Sequence, residues 1–142
     1  MKYVLDTNVI SEMMRPAPHA PVQDHVDRIA KDGMALSAVT VWDIHNGIRL
    51  LNPGRRRDDL SGRFTALLGS LFRDRIIAWD EVAAIACADI METKRRAGRP
   101  LDDHVPDAMI AATALCRDLI LVTRNGREFA DLKISVENPW RP

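Results

Sequence analysis

An excess of charge of one sign is missing: 20 basic and 20 acidic residues cancel over 142 positions. That balance excludes a general nucleic-acid coat protein, which needs a broad positive surface. It leaves room for an enzyme that touches nucleic acid through a local basic patch. Cysteine is scarce. Cys87 and Cys116 are the only two, and they form no C-x-x-C pair. The spacing suggests neither a zinc site nor a redox motif. Both cysteines stand beside alanine, isoleucine or leucine, as buried small hydrophobes in a reducing compartment do. Long apolar runs are also missing. Met1-Lys2-Tyr3-Val4-Leu5-Asp6 holds no stretch suited to a secretion signal. No segment stays apolar over the length that a bilayer requires. A cytoplasmic protein is the expectation.

What is present is a globular composition, 46% hydrophobic and 28% charged, in a length that fits one domain with its own core. Short apolar runs alternate with longer stretches of helical period. Tyr3-Val4-Leu5 reads as a strand and Val9 to Met14 as a short helix, stopped by Pro16, Pro18 and Pro21. Val22 to about Lys31 is a second helix, Asp32-Gly33 a turn, and Met34 to Ala38 a second strand. Thr40 opens a helix in which Val41, Ile44, Ile48 and Leu51 form one apolar stripe. After Asn52-Pro53-Gly54, a further stripe runs through Leu60, Phe64, Leu67, Leu68 and Leu71. Ile76-Ile77-Ala78 is a third strand. Asp80 caps a helix from Glu81 to about Ala97, closed by Gly98 and Pro100. Pro106 fits the first turn of a helix from Asp107 to about Arg117. Leu119 to Thr123 is a strand, Asn125-Gly126 a turn, and Ile134-Ser135-Val136 a last strand. The rhythm predicts an α/β fold, a central mostly parallel five-stranded sheet with helices on both faces, in a single domain over residues 1–142.

In open sheets of this kind the site lies beyond the carboxyl ends of the strands. Asp6 directly follows the first strand. Asp43 falls in the first turn of the helix after the second. Asp107 falls in the first turn of the helix before the fourth, and Asn125 and Glu128 follow that strand. A sheet that sets its first and fourth strands side by side gathers most of these groups in one crevice. Gathered carboxylates repel one another and burial adds a desolvation cost. A divalent cation offsets both, and oxygen ligands without histidine or cysteine favour Mg²⁺ or Mn²⁺. Such an ion polarises a phosphoryl oxygen and acidifies water, which is what phosphodiester hydrolysis requires. Each acid has a second explanation. Asp6 suits an Asx-turn or a helix cap. Thr40-Val41-Trp42-Asp43 is a capping-box pattern. Asp107 complements a helix dipole, and Glu128 suits a solvated surface. Their common placement, not any single acid, carries the functional reading.

Four segments resemble one family. Leu5-Asp6-Thr7-Asn8-Val9-Ile10-Ser11-Glu12 looks like the opening of PIN-domain proteins, specifically VapC-type toxins. Ser37-Ala38-Val39-Thr40-Val41-Trp42-Asp43-Ile44-His45-Asn46-Gly47 resembles the family's second motif. Asp107-Ala108-Met109-Ile110-Ala111-Ala112-Thr113-Ala114 resembles the third, and Val122-Thr123-Arg124-Asn125 with Glu128-Phe129 the fourth. The matches occur in family order and span nearly the whole chain. The resemblance implies a central parallel sheet and endoribonuclease activity with Mg²⁺ or Mn²⁺. It also implies a VapB-like antitoxin, a homodimer, and a larger toxin–antitoxin complex that reaches promoter DNA only through the antitoxin. Asp6 and Asp107 match acidic ligands, and Thr7 and Asn8 match the polar pair that supports the site. Two departures stand out. The second motif normally carries glutamate where this chain has Asp43, one methylene shorter. The fourth often has aspartate where Asn125 stands, which leaves Glu128 as an alternative source of charge. Under this reading Asp6, Asp43 and Asp107 hold the ion directly or through water, with Asn125 as the fourth catalytic position.

Basic residues cluster in two places. Arg55-Arg56-Arg57 suits RNA phosphates, or a solvated face offset by Asp58 and Asp59. Lys94, Arg95, Arg96 and Arg99 lead toward Asp107, and Lys94 and Arg96 are the candidate RNA contacts. His104 is read as a loop histidine, and His19, His25 and His45 as surface residues. The stripes at Thr40–Leu51 and Leu60–Leu71 suit either pure core or a groove for an antitoxin helix. Two rival readings remain. One is an aspartyl-phosphate phosphatase, which normally wants a second acid where Asn8 stands. The other is a degenerate PIN domain that only binds a partner.

Overall fold

The computed structural model describes residues 1–99 and 105–141. Its centre is a strand of three residues, Tyr3–Leu5 (β1). Backbone ladders run from it in both directions. On one side lie Met34–Ser37 (β2) and Ile76–Ile77 (β3); on the other lie Ile120–Val122 (β4) and Val136–Glu137 (β5). The order is β3-β2-β1-β4-β5 and every pairing is parallel. Successive side chains of a strand point to opposite faces, and β1 shows the consequence. Tyr3 and Leu5 pack into one hydrophobic cluster and Val4 into the other. A parallel sheet buried on both sides needs aliphatic residues at consecutive positions, which explains why β1, β2 and β4 show no polar alternation.

Helices Thr7–Met13 (α1), Ala20–Ile29 (α2) and Arg55–Leu71 (α4) cover the face of Tyr3 and Leu5. Glu81–Arg96 (α5) and Val105–Cys116 (α6) cover the face of Val4. Ala38–Arg49 (α3) serves both, with Val39 in one cluster and Ile44 and Ile48 in the other. Phe64 of α4 is fully buried and receives the edge of the His45 ring at 5.1 Å between centroids.

The structure corrects four local expectations. Pro21 does not stop a helix. It sits in the first turn of α2, where its missing N–H leaves no bond unmade. Thr40 does not cap α3. The Ser37 side chain accepts from the Val39 N–H at 3.0 Å, so the helix starts two residues earlier and Asp43 lies in its second turn. His25 is not a surface residue. It is buried in α2, where Arg28 donates to its Nδ1 at 3.1 Å and its Nε2 lies 3.0 Å from Glu137. Arg28 can only donate, so Nδ1 is the acceptor, while Nε2 approaches Glu137 without completing a hydrogen bond. The last strand starts later than Ile134, although the Ser135 carbonyl already accepts from Leu121.

Candidate active site

The chain crosses from one half of the sheet to the other between β1 and β4, and a crevice opens at their carboxyl ends. Asp6 stands at its floor. The Asp6 N–H still belongs to the sheet, donating to the Val122 carbonyl at 2.9 Å, and the same residue is the N-cap of α1. Its carboxylate is therefore fixed by a strand end and a helix start at once. Oδ1 accepts from the Thr7 N–H at 2.8 Å. Oδ2 accepts from the Thr123 hydroxyl at 2.7 Å and from the Asn8 amide at 3.3 Å. The Asn8 carbonyl oxygen accepts from the Arg124 N–H at 3.3 Å, tying α1 to the loop after β4. The Thr7 hydroxyl donates to that of Thr40 at 3.4 Å, tying it to α3.

Around this floor is a cavity of about 460 Å³ lined by Asp6, Thr7, Asn8, Asp43, Asp107 and Asn125. Six of the residues singled out in the sequence thus meet in one place, from four separate parts of the chain. Burial pushes the Asp6 carboxyl up from 3.8 to about 6, and the negative charges of Asp107 and Asp43 push the same way. The hydrogen bonds from Thr123 and Thr7 hold it down. Among the described residues, no three acidic, histidine or cysteine side chains stand close enough together to form a metal-binding group. The donor chemistry nevertheless fits a hard divalent cation. Four carboxylates, those of Asp6, Glu12, Asp43 and Asp107, line one cavity without sulfur or imidazole, and their repulsion is what such a cation relieves. Asp43 and Asp107 are both half-buried, beside the buried Asp6.

A family model described as the PIN domain matches residues 3–134. The chain belongs to the PIN-domain family. This PIN domain is 35% identical to the toxin FitB of Neisseria gonorrhoeae, over 96% of this chain and 97% of that one. It is 30% identical to the VapC ribonuclease Y4jK of Sinorhizobium fredii, over 98% of each. The crystal structure of FitAcB from Neisseria gonorrhoeae superposes with a TM-score of 0.86 at 34% identity, over 99% of both chains. No helix among the described residues of the PIN domain is long and apolar enough to cross a membrane.

Several candidates lie elsewhere. Glu128 does not line the acid cavity but the cleft beside it. Lys94 is 4% exposed, with its ammonium 5.1 Å from the centroid of the Phe129 ring. Its stem packs in the interior, so the phosphate contact expected of it is corrected. Arg96 is exposed and pairs with Glu92 at 3.2 Å, one helical turn away. It lines neither the acid cavity nor the adjoining cleft. His104 falls outside the described residues.

Sequence reasoning also missed residues that the crevice uses. Glu12 is buried at its edge, accepting from the His19 N–H and pairing with Arg15. Asn8, Glu12 and Arg15 recur at i, i+4 and i+7, a polar stripe on α1 that the apolar periodicity concealed. Thr123 gives the shortest hydrogen bond to Asp6, yet in the sequence it is only the polar end of an aliphatic strand. Trp140 and Arg124 join the cavity wall from the loops after β5 and β4.

Proposed function

We propose that this PIN domain is a metal-dependent endoribonuclease, the toxin half of a VapBC-type toxin–antitoxin pair that inhibits translation by hydrolysing RNA phosphodiester bonds. The meeting of Asp6, Asp43 and Asp107 at one cavity, with a carboxyl raised by burial and, to a lesser degree, by its acidic neighbours, carries the reading. Relatives named as a toxin and as a ribonuclease over nearly the full length support it. Asp6, Asp43 and Asp107 would hold Mg²⁺ or Mn²⁺. Bound there, the ion supplies Lewis-acid polarisation of a phosphate oxygen and acidifies nearby water. Thr7, Asn8 and Thr123 orient the Asp6 carboxylate through its three hydrogen-bond donors. Asn125 stands at the opposite wall as a neutral donor and acceptor for the substrate. Asn8 occupies the place where a phosphoaspartate enzyme wants a second acid, and its amide serves Asp6 instead.

The antitoxin reading rests on a second cavity. An apolar groove of about 900 Å³ runs between α1, α3 and α4, lined by Met14, Ile44, Ile48, Leu51 and Leu60, and it opens beside Thr7 and Asp43. Its aliphatic lining suits the apolar face of a VapB-like helix. A homodimer, and a larger complex that reaches promoter DNA through the antitoxin, belong to the same reading.

The test is RNA cleavage by the purified chain with and without EDTA, beside the Asp6→Asn protein. Cleavage is expected to stop in EDTA, return with Mn²⁺, and be absent from Asp6→Asn. The spread of the three acids without a closed ligand cluster favours one alternative, a PIN domain that binds a partner without catalysis. That reading requires that Mn²⁺ titration show no saturable site.

A further inference from the structure

Beside the acid cavity lies a polar cleft of about 920 Å³ between α1 and the loops after β4 and β5. The two share Glu12, Arg15, Arg124, Asn125 and Trp140 along one wall. The charge in this cleft is uneven. Arg15 is paired with Glu12. Among the described residues, no carboxylate pairs with the guanidinium groups of Arg124, Arg127 or Arg141. The protein as a whole carries no net charge, so the four arginines of this cleft, set against Glu12 and Glu128, make a local surplus of cations beside the acidic cavity.

The geometry here is fixed in advance. The Arg124 guanidinium lies over the Trp140 ring at 5.1 Å from its centroid. The Arg124 backbone is held at both ends: its N–H donates to Asn8 and its carbonyl accepts from the Asn138 amide at 3.2 Å. The Asn138 side-chain oxygen in turn accepts from the Trp140 N–H at 2.9 Å. Asn8 is also the residue that donates to Asp6. One chain of hydrogen bonds therefore positions the acid, the cation and the indole together.

We infer that Arg124 and Trp140 form a nucleotide subsite that grips single-stranded RNA next to the scissile phosphate. The inference rests on the ribonuclease reading above and adds to it where the flanking nucleotide sits. The guanidinium takes the phosphate, and the flat Arg124–Trp140 stack offers a platform for its base. Base stacking on aromatic rings and arginine planes tolerates any sequence, and the phosphate contact is salt-dependent. Arg141 extends the positive track away from the acids.

The experiment measures anisotropy of a fluorescently labelled single-stranded RNA in EDTA, with the full chain, Arg124→Gln, Trp140→Leu and Asp6→Asn. Arg124 is exposed and its backbone contacts survive the substitution, so that variant keeps the fold. Trp140 also packs against the core, so Trp140→Phe, which keeps a ring to stack on, is the packing control and is expected to bind RNA more tightly than the leucine variant. Arg124→Gln and Trp140→Leu are expected to weaken binding by roughly tenfold. Arg124→Gln is also expected to lower the salt slope by about 0.7, the loss of one phosphate contact on a single strand. Asp6→Asn, which removes a negative charge from the adjoining cavity, is expected to bind RNA no more weakly than the full chain. Unchanged affinity in both Arg124→Gln and Trp140→Leu overturns the subsite, even where the wild type cleaves. RNA bound through these residues without cleavage supports the subsite and overturns the nuclease reading. Weakened binding of an antitoxin with unchanged RNA affinity makes the cleft a protein contact and overturns the subsite.

Discussion

Asp6 shows how one residue can be costly to the fold and necessary to the site. Its carboxyl is buried, and its folded value of about 6 lies above the unfolded 3.8. The folded state therefore holds a proton that the unfolded state releases between those values. The stability tied to that proton is fully present below pH 3.8 and is lost as pH rises through 6. The loss is on the order of 3 kcal/mol at neutral pH. Asp6→Asn removes the buried charge while weakening the bonds from Thr7 and Thr123. We predict a metal-free Asp6→Asn protein more stable than wild type by about 1–2 kcal/mol at pH 7.5. No gain is expected at pH 4, with urea denaturation as the measurement. The same proton competes with a cation, so Mn²⁺ affinity should rise between pH 5 and 7. Lys94 gives the contrasting case. Its charge is buried over Phe129, so Lys94→Met should leave RNA affinity and its salt dependence unchanged. A weakening of RNA binding comparable to that of an exposed arginine variant would contradict its placement.

At the scale of the element, α3 decides how the site is assembled. Ser37 ends β2 and caps the helix in one step, which leaves Thr40 free to meet Thr7 and turns Asp43 toward the cavity. Ser37→Ala removes the cap and should cost about 1 kcal/mol in urea denaturation. It should lower cleavage only in proportion to the folded fraction. An effect below 0.2 kcal/mol would place the cap elsewhere. The same helix exposes two faces with different work. Ile44 and Ile48 reach the core and the apolar groove, while Asp43 reaches the acids. A partner lying in the groove therefore comes to rest against the edge of the active site.

The whole molecule sets two surfaces of different chemistry side by side. The acid cavity is polar, and the groove beside it is lined by aliphatic side chains with Arg15, Arg55, Arg56 and Arg63 at its border. Leu51 lines the groove, half-buried, and lies outside the acid cavity. Leu51→Lys should therefore weaken a cognate antitoxin by tenfold or more while cleavage of RNA by the free protein persists. Retained antitoxin affinity in a titration would remove the groove from the interface. The arginines at its border suit the acidic flank of such a helix, and raising salt should loosen the complex as well.

The strands, the two stripes and the candidate acids are legible in the sequence because they depend on local period and on one topological rule. Aliphatic runs name β1, β2 and β4; caps and breakers name α4 and α5; strand ends name Asp6 and Asn125, and a helix start names Asp107. Only the folded chain shows that Ser37 rather than Thr40 caps α3. The choice turns on which hydroxyl the neighbouring α1 claims. Only the folded chain buries Lys94 and His25, since both depend on a ring or a carboxylate from a distant element. Thr123 and the Arg124–Trp140 pair are likewise products of contact between segments up to 117 positions apart. Hydrogen bonds over that separation leave no trace in periodicity, because each partner alone is an ordinary polar residue.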